Sequence, residues 1–482
     1  MLFNSIPFTA GFLPLFLLGF FLLGRLSRQG ALPFLLLASL GFYAWWRPSM
    51  LPLLLVSIAG NFAIGRQIQI RAPPSAKRWL TVGTGANLAL LFWFKYAGLF
   101  ALTLGLADPG ITLPLAISFF TFQQIMFLTE CYRHPGARYG FVPYASFVAF
   151  FAHLIAGPIV RPAEIVPQFT HPRFGIVDHA ALASGLTLFL LGLGKKLVLA
   201  DTFAAFADPG FHAAATGAPL TLVEAWCALL AYALQIYFDF SGYSDMAIGL
   251  AGMIGIRFPL NFDAPYRAAS IADFWHRWHI TLGRFLRDYL YIPLGGNRHG
   301  KLRASANIMA TMLLGGLWHG ANWNFALWGG LHGAYLLIHR AWRGHAPFHL
   351  PRPLAHAVTL FAVVLAWVPF RADSWAATLA MARGLAGANG FALPEPVIAA
   401  LPALAHLATP VPVLLYLGDA RTLALPEAIA CLGLGWAIVL LLPPIHRLTA
   451  TARAWALTAS FALTVQALVF APRVTPFLYF RF

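Results

Sequence analysis

Charge is what this sequence has least of. Of its 482 residues only 10% are Asp, Glu, Lys or Arg, where a soluble domain carries roughly 25%. Acidic residues number only 16, hydrophobic residues make up 60% and the mean hydropathy is +0.72. This excludes a soluble globular protein, and the chain reads as a polytopic membrane protein. Long polar stretches are missing as well, so nothing outside the bilayer has the length to bury a core of its own. The expectation is a single membrane-embedded domain over residues 1–482. Cysteine is scarce: Cys131, Cys227 and Cys431 lie in or beside separate apolar segments without metal-ligand spacing, so no disulfide framework and no metal site is expected. A G-x-S-x-G elbow, a P-loop and an H-E-x-x-H motif are also absent, so the familiar soluble routes to nucleophilic, nucleotide or zinc chemistry are not signalled.

Positive charge is what there is in excess, with a net +16. The Lys and Arg residues fall in short clusters between apolar runs, where positive-inside topology places them, and nucleic acid is not an expected partner. The first thirty residues lack a basic n-region and a small-residue cleavage site and read as a retained first span. Candidate spans lie near 7–24, 31–46, 50–64, 79–102, 112–130, 141–158, 180–200 and 221–238, then near 305–318, 322–339, 354–370, 399–417, 426–443 and 454–471. Several are short, which predicts roughly ten to twelve true spans plus re-entrant and interfacial helices. Arg25 and Arg28, then Arg66, Arg71, Lys77 and Arg78, then Arg133 and Arg138 mark loops expected in the cytoplasm.

Polar residues interrupt these runs in a few places. Ser118, Thr121, Gln123, Gln124 and Glu130 lie in one apolar helix, where helix–helix hydrogen bonding accounts for them. His153 is followed by a Gly157-Pro158 break, predicting an apolar element interrupted at depth. Asp239 and Asp245, within YALQIYFDFSGYSDMAIGL, fit either a proton relay or a structural network.

The densest anomaly runs from Asn261 to Gly333, where Trp, His, Arg and Asp crowd together. Taken as one helix at about 100° per residue, residues 273–289 sort into faces. Asp273, Arg277, Arg284, Arg287 and Asp288 fall on one arc, opposite Phe274, Trp278, Leu282, Phe285, Leu286 and Tyr289, which predicts an amphipathic helix. His279 falls at the border of the apolar arc, with Gly283 leaving open space beside it; His276 falls nearer the charged arc. Arg298, His299, Lys301 and Arg303 extend a cationic patch that suits either a phosphate-rich ligand or a solvated cytoplasmic loop. His319, in LLGGLWHGANW, sits among Gly315, Gly316 and Gly320, which admit another backbone or a substrate, with Trp318 and Trp323 close by. His332 falls on a different helical face and reads as structural. A neutral imidazole in a dry site suits a general base taking a proton from a hydroxyl as it attacks an acyl carbonyl.

The stretches LPLAISFFTFQ, LIAGPIVRPAEIVPQF, QIYFDFSGYSDMAIGLAGMIGIRFPLNFDAPYRAASIADFW, RWHITLGRFLRDYLYIPLGGNR and LGGLWHGANWNFALWGGLHG together resemble the membrane-bound O-acyltransferase family, in its bacterial alginate O-acetylase-like branch. The resemblance runs from about residue 111 to 335. It implies an all-α bundle around a funnel in the bacterial inner membrane, with His319 matching the family's catalytic histidine and His279 its second polar active-site residue. The donor it implies is acetyl-CoA or another acyl thioester reaching the protein from the cytoplasm, with no bound cofactor. The acyl group, an acetyl by this resemblance, would cross toward a hydroxyl acceptor for O-acetylation of a secreted polysaccharide such as alginate, with a periplasmic acetyltransferase partner. Trp318, Trp323, Asn322, Arg277, Arg284, Arg287, Asp288 and Tyr289 are the candidate substrate- or donor-binding residues. At His276 the sequence departs from the Arg more common in an FWRRWH pattern. The alternatives are carrier-protein-dependent acyl or D-alanyl transfer to a cell-wall polymer and, from another class, an ion-coupled transporter using Asp239 and Asp245.

Overall fold

The computed structural model describes residues 1–27, 29–345, 350–404, 406–411, 425–470 and 475–478. Arg28, much of the candidate span at 399–417 and the end of the one at 454–471 lie outside the described residues. Nearly all regular structure among the described residues is helical; the exception is a pair of three-residue parallel strands, Ala392–Pro394 and Thr409–Val411. Among the described residues six helical stretches are long and apolar enough to cross a membrane: Pro7–Leu26, Pro48–Ile70, Pro73–Thr103, His179–Thr216, Leu222–Met253 and Arg352–Arg371. Ala31–Trp46 and Ala428–Leu441 are shorter apolar helices. Exposed Leu, Val, Phe and Trp on these helices are what a lipid-facing surface requires. This is an all-α, multi-pass membrane protein.

The chain divides into two compact units that interleave in sequence. The first comprises Met1–Leu193, Tyr243–Asn261 and Leu468–Tyr479. Its core is a phenylalanine cluster in which Phe151 packs edge-on against Phe12 and Phe16. Some polar side chains in its apolar helices find each other, because an unsatisfied amide in a dry interior is costly, but the hydrogen bonding expected of Thr121 and Gln123 is not found: Thr121 Oγ1 and Gln123 Oε1 are buried without a hydrogen-bond partner among the described residues. Asn61 and Asn87 exchange amide hydrogen bonds, and Gln124 donates to Ser57 at 2.7 Å while accepting from Tyr144 at 2.8 Å. The expected interruption after His153 is present: the short helices Phe141–Ala149 and Phe151–Leu154 give way to irregular, buried backbone through Gly157 and Pro158.

The second unit comprises Gly194–Gly242, Phe262–Ala467 and Phe480–Phe482 and holds most of the polar stretch singled out above. Among its elements are the first part of α1 (Leu222–Met253), the short helices α2 (Ile271–Arg277) and α3 (Ile280–Leu286), the hairpin α4 (Gly300–His319) and α5 (Trp323–His345), then α6 (Arg352–Arg371) and α7 (Leu425–Leu441). Tyr266 ties several of them together. Its hydroxyl donates to the Ala233 carbonyl of α1 at 2.7 Å and accepts from Trp367 Nε1 of α6 at 3.1 Å. The α4/α5 hairpin closes on glycine. A Cβ at Gly316 would strike the Phe325 carbonyl oxygen and come within 3.0 Å of Gly329, and one at Gly329 would strike the Met312 carbonyl oxygen. Only hydrogen at these positions lets the two backbones approach so closely.

Candidate active site

The residues expected to form one amphipathic helix over 273–289 instead form two short ones, the second running on into a π-helical turn, Arg287–Tyr291. Ser270 caps the first by accepting from the Asp273 amide at 3.1 Å. The helix then stops at Trp278, which is extended (φ −97°, ψ 126°), and His279, which is left-handed (φ 44°, ψ 52°). A left-handed residue with a Cβ costs about 1 kcal/mol or more and is held only by its surroundings. The break leaves most of the apolar set buried: Phe274, Trp278, Leu282, Phe285 and Leu286 are inside and Tyr289 is half-buried, while His276 and Arg287 are exposed and Asp273, Arg277, Arg284 and Asp288 are half-buried.

The turn drives His279 inward. Its ring lies outside the helices long enough to cross a membrane and is fully buried, packed edge-on against Phe240 of α1 at 4.7 Å between centroids. Desolvation pushes its imidazole down to about 3, keeping it neutral. Beside it Gly283 is open, since a Cβ there would meet only the Trp275 carbonyl oxygen, at 3.6 Å.

His319 is the last residue of α4, where Gly320 ends the helix. It is 4% exposed and boxed by rings: Trp318 at 5.1 Å, Trp328 at 5.1 Å and Phe370 at 5.2 Å, all edge-on. The His279 and His319 centroids lie 6.4 Å apart, with Trp318 6.3 Å from His279. The glycines around His319 are occupied by protein. A Cβ at Gly315 would press on Leu286 at 2.9 Å, and at Gly320 on the ring of Phe325. His332 is fully buried against Trp275 and Trp328, so Trp328 packs against both His319 and His332.

The remaining candidates separate by what they touch. Asn322 accepts from the Asn324 amide and donates to the Asp373 carbonyl, and Asn324 donates to the Ala372 carbonyl, each at 2.9 Å. The turn after His319 is thereby fastened to the end of α6. Arg277 pairs with Asp273 at 2.7 Å and Arg287 with Asp288 at 2.8 Å, while Tyr289 stacks on Phe285 at 5.0 Å. Arg284 is half-buried, Trp323 is 45% exposed, and Arg298, His299, Lys301 and Arg303 are exposed. Asp239 forms an ion pair with Lys196 at 2.9 Å, and Lys196 also meets Asp201 at 2.8 Å. Among the described residues no group of three His, Cys, Asp or Glu could hold a metal ion.

Three neighbours of the histidines, Phe240, Trp328 and Phe370, were not singled out from the sequence. Aromatic residues abound in every apolar run, and only the fold distinguishes these three from the rest. Lys196 did carry a signal, as one of two adjacent lysines, Lys195 and Lys196, that follow a helical run, His179–Gly194, without Asp, Glu, Lys or Arg.

Known proteins are similar to this chain over most of its length. The family model of the membrane-bound O-acyltransferases matches residues 80–379. The chain is 42% identical over 431 residues to a peptidoglycan O-acetyltransferase of Helicobacter pylori, covering 82% of this chain and 81% of that protein. It is 45% identical over 388 residues to the probable alginate O-acetylase AlgI of Azotobacter vinelandii, covering 78% and 76%. A more distant relative, the teichoic acid D-alanyltransferase of Streptococcus thermophilus, is 28% identical over 240 residues, covering 47% and 57%. With both histidines inside the matched region, and with relatives this similar over most of both chains, the protein belongs to the membrane-bound O-acyltransferase family and is an O-acyltransferase.

Proposed function

We propose that the protein moves an acetyl group from a cytoplasmic thioester, acetyl-CoA, across the bacterial inner membrane toward a hydroxyl acceptor of a secreted polysaccharide. His319 acts as the general base for the attacking hydroxyl and His279 orients or polarises the reactant. The observation that carries this reading is the meeting of two buried imidazoles, 6.4 Å apart, inside an aromatic box. A neutral imidazole there accepts a proton as the oxygen attacks the thioester carbonyl; the C–O bond forms, the C–S bond breaks and the thiol leaves with a proton. The dry surroundings exclude the water that would otherwise hydrolyse the thioester.

In this reading ten to twelve spans form a funnel around the histidines, with Trp318, Trp323 and Asn322 shaping its wall. Arg284 and Arg287 attract the anionic donor, with Asp288 and Tyr289 holding Arg287 and its turn. A periplasmic acetyltransferase then completes transfer to the polymer. The names of the peptidoglycan and alginate relatives support acetyl and a polysaccharide.

A second reading rests on the teichoic acid relative: the donor is an acyl group carried as a thioester on a carrier protein. One experiment separates the two. Membranes containing the protein are given radiolabelled acetyl-CoA or an aminoacyl carrier protein, with the periplasmic partner present, and label is followed into polymer. Transfer from acetyl-CoA that is lost in His319→Ala supports the first reading. Transfer from the carrier protein alone replaces it with the second, and full transfer by His319→Ala removes the general-base assignment from both.

A further inference from the structure

His279 owes its position to a backbone angle that a residue with a Cβ adopts reluctantly, so something must hold it. Asp263 and Arg277 pair across the two chain segments that meet there. The Asp263 amide donates to the Arg277 carbonyl at 3.0 Å, and Arg277 Nη1 donates back to the Asp263 carbonyl at 3.4 Å. Arg277 Nε is meanwhile anchored on Asp273 Oδ1 at 2.7 Å. Among the described residues three other than glycine are left-handed. Two of them flank this crossing: Ala264, next to Asp263, and His279, two residues after Arg277.

The carboxylate of Asp263 points the other way along the chain. Arg447 Nη2 donates to its Oδ2 at 2.5 Å, and His446 Nε2 lies 3.3 Å from its Oδ1. A second tie runs parallel. Arg267 Nε donates to the Val439 carbonyl at 3.1 Å, Arg267 Nη2 to the Leu442 carbonyl, and Trp436 packs on Tyr266 at 5.5 Å. Residues 436–447 lie beyond the stretch that matches the family, which ends at residue 379.

We propose that Asp263, clamped between Arg277 and Arg447, is a positioning residue that holds His279 in its left-handed conformation, and that the 436–447 segment thereby supports the active site. The proposal rests on the reading of His279 given above. Arg277 is then a brace and not a contact for the donor. The structure gives its guanidinium two protein acceptors, Asp273 Oδ1 and the Asp263 carbonyl.

The test separates positioning from donor binding. Transfer from the donor on which the wild type is active, acetyl-CoA first, is measured in membranes for Arg277→Gln, Arg447→Gln, the swap Asp263→Arg/Arg447→Asp, Arg284→Gln and His279→Ala. Folding of each is checked by its elution in detergent. Misplacing a reacting group predicts a fall in kcat of about tenfold for Arg277→Gln with the donor KM unchanged. Arg447→Gln should show the same signature at about threefold, since its side chain is half exposed and the pair is screened. The swap should recover much of that loss, and Arg284→Gln should instead raise the donor KM. Wild-type kcat in both Arg277→Gln and Arg447→Gln, or a loss carried in the donor KM, would overturn the proposal while leaving the role of His279 standing. Full activity in His279→Ala would overturn that role and this proposal with it.

Discussion

The His279 and His319 rings stand 6.4 Å apart at an interplanar angle of 59°, although one comes from a two-residue break between short helices and the other from the end of a twenty-residue helix. Each imidazole is therefore aimed by its own stretch of backbone.

Replacement of His319 by Ala should lower transfer by about 10²- to 10⁴-fold, the usual range for loss of a general base. If the two histidines serve one step, the His279→Ala/His319→Ala double variant should be little worse than His319→Ala alone, because groups acting as a unit are strongly non-additive. Label transferred per unit of folded protein is the readout, and fully additive losses would place the two residues in separate steps.

Burial lowers the His279 imidazole from 6.5 to about 3. Between these values the unfolded chain binds a proton that the folded chain refuses. The contribution of the neutral ring to stability is thus complete above about pH 6.5 and is lost as pH falls toward 3. At about pH 5 the loss amounts to about 2 kcal/mol. The unfolding temperature of the wild type, compared with His279→Asn, should fall on going from pH 7.5 to pH 5 in detergent. A difference between the two that does not change with pH would contradict the buried neutral ring.

Lys196 and Asp239 are 3% and 2% exposed. Lys196→Met should destabilise the fold by about 3–5 kcal/mol, because it removes the ammonium with which the buried Asp239 and the partly exposed Asp201 both pair. Lys196→Met/Asp239→Leu should recover part of that, since an apolar pair removes the two most buried charges and leaves only Asp201, 21% exposed, to be met by water. Recovery of folding together with transfer would make the pair structural. Recovery of folding without transfer would place it in the chemistry.

Gly316→Ala should push α4 and α5 apart at the Phe325 carbonyl and cost about 1–3 kcal/mol, the range for overpacking. Gly283→Ala, whose new methyl meets only one carbonyl at ordinary contact distance, should fold like the wild type. Thermal unfolding of the two side by side is the check, and equal stability would mean that the hairpin tolerates a wider spacing.

Hydropathy made the helical runs legible, because lipid and a dry interior both demand apolar faces. The helix starts at Ala31, His179, Leu222 and Arg352 fall close to the boundaries read from sequence. Periodicity failed at Trp278 and His279, where the apolar spacing runs on without interruption while the backbone turns. Residues there are buried on both sides of the break, so burial alone carries no mark of it. The partners of the histidines were out of reach for a different reason. Phe240, Trp328 and Phe370 lie on three helices, and their convergence is a property of tertiary packing. The ties from Asp263 to Arg447 and from Arg267 to Val439 span more than 170 residues, a separation at which no local pattern can speak.

The left-handed turn at His279 also limits what evolution or a designer can place there. Asn, Asp, Gly and His tolerate such an angle; β-branched and bulky residues do so poorly. A saturation library at this position would report two separate failures: Asn keeps the backbone and lacks the imidazole, while Val is rejected before chemistry is reached. Yield and turnover, scored together across that library, would therefore separate the demands of the turn from those of the reaction.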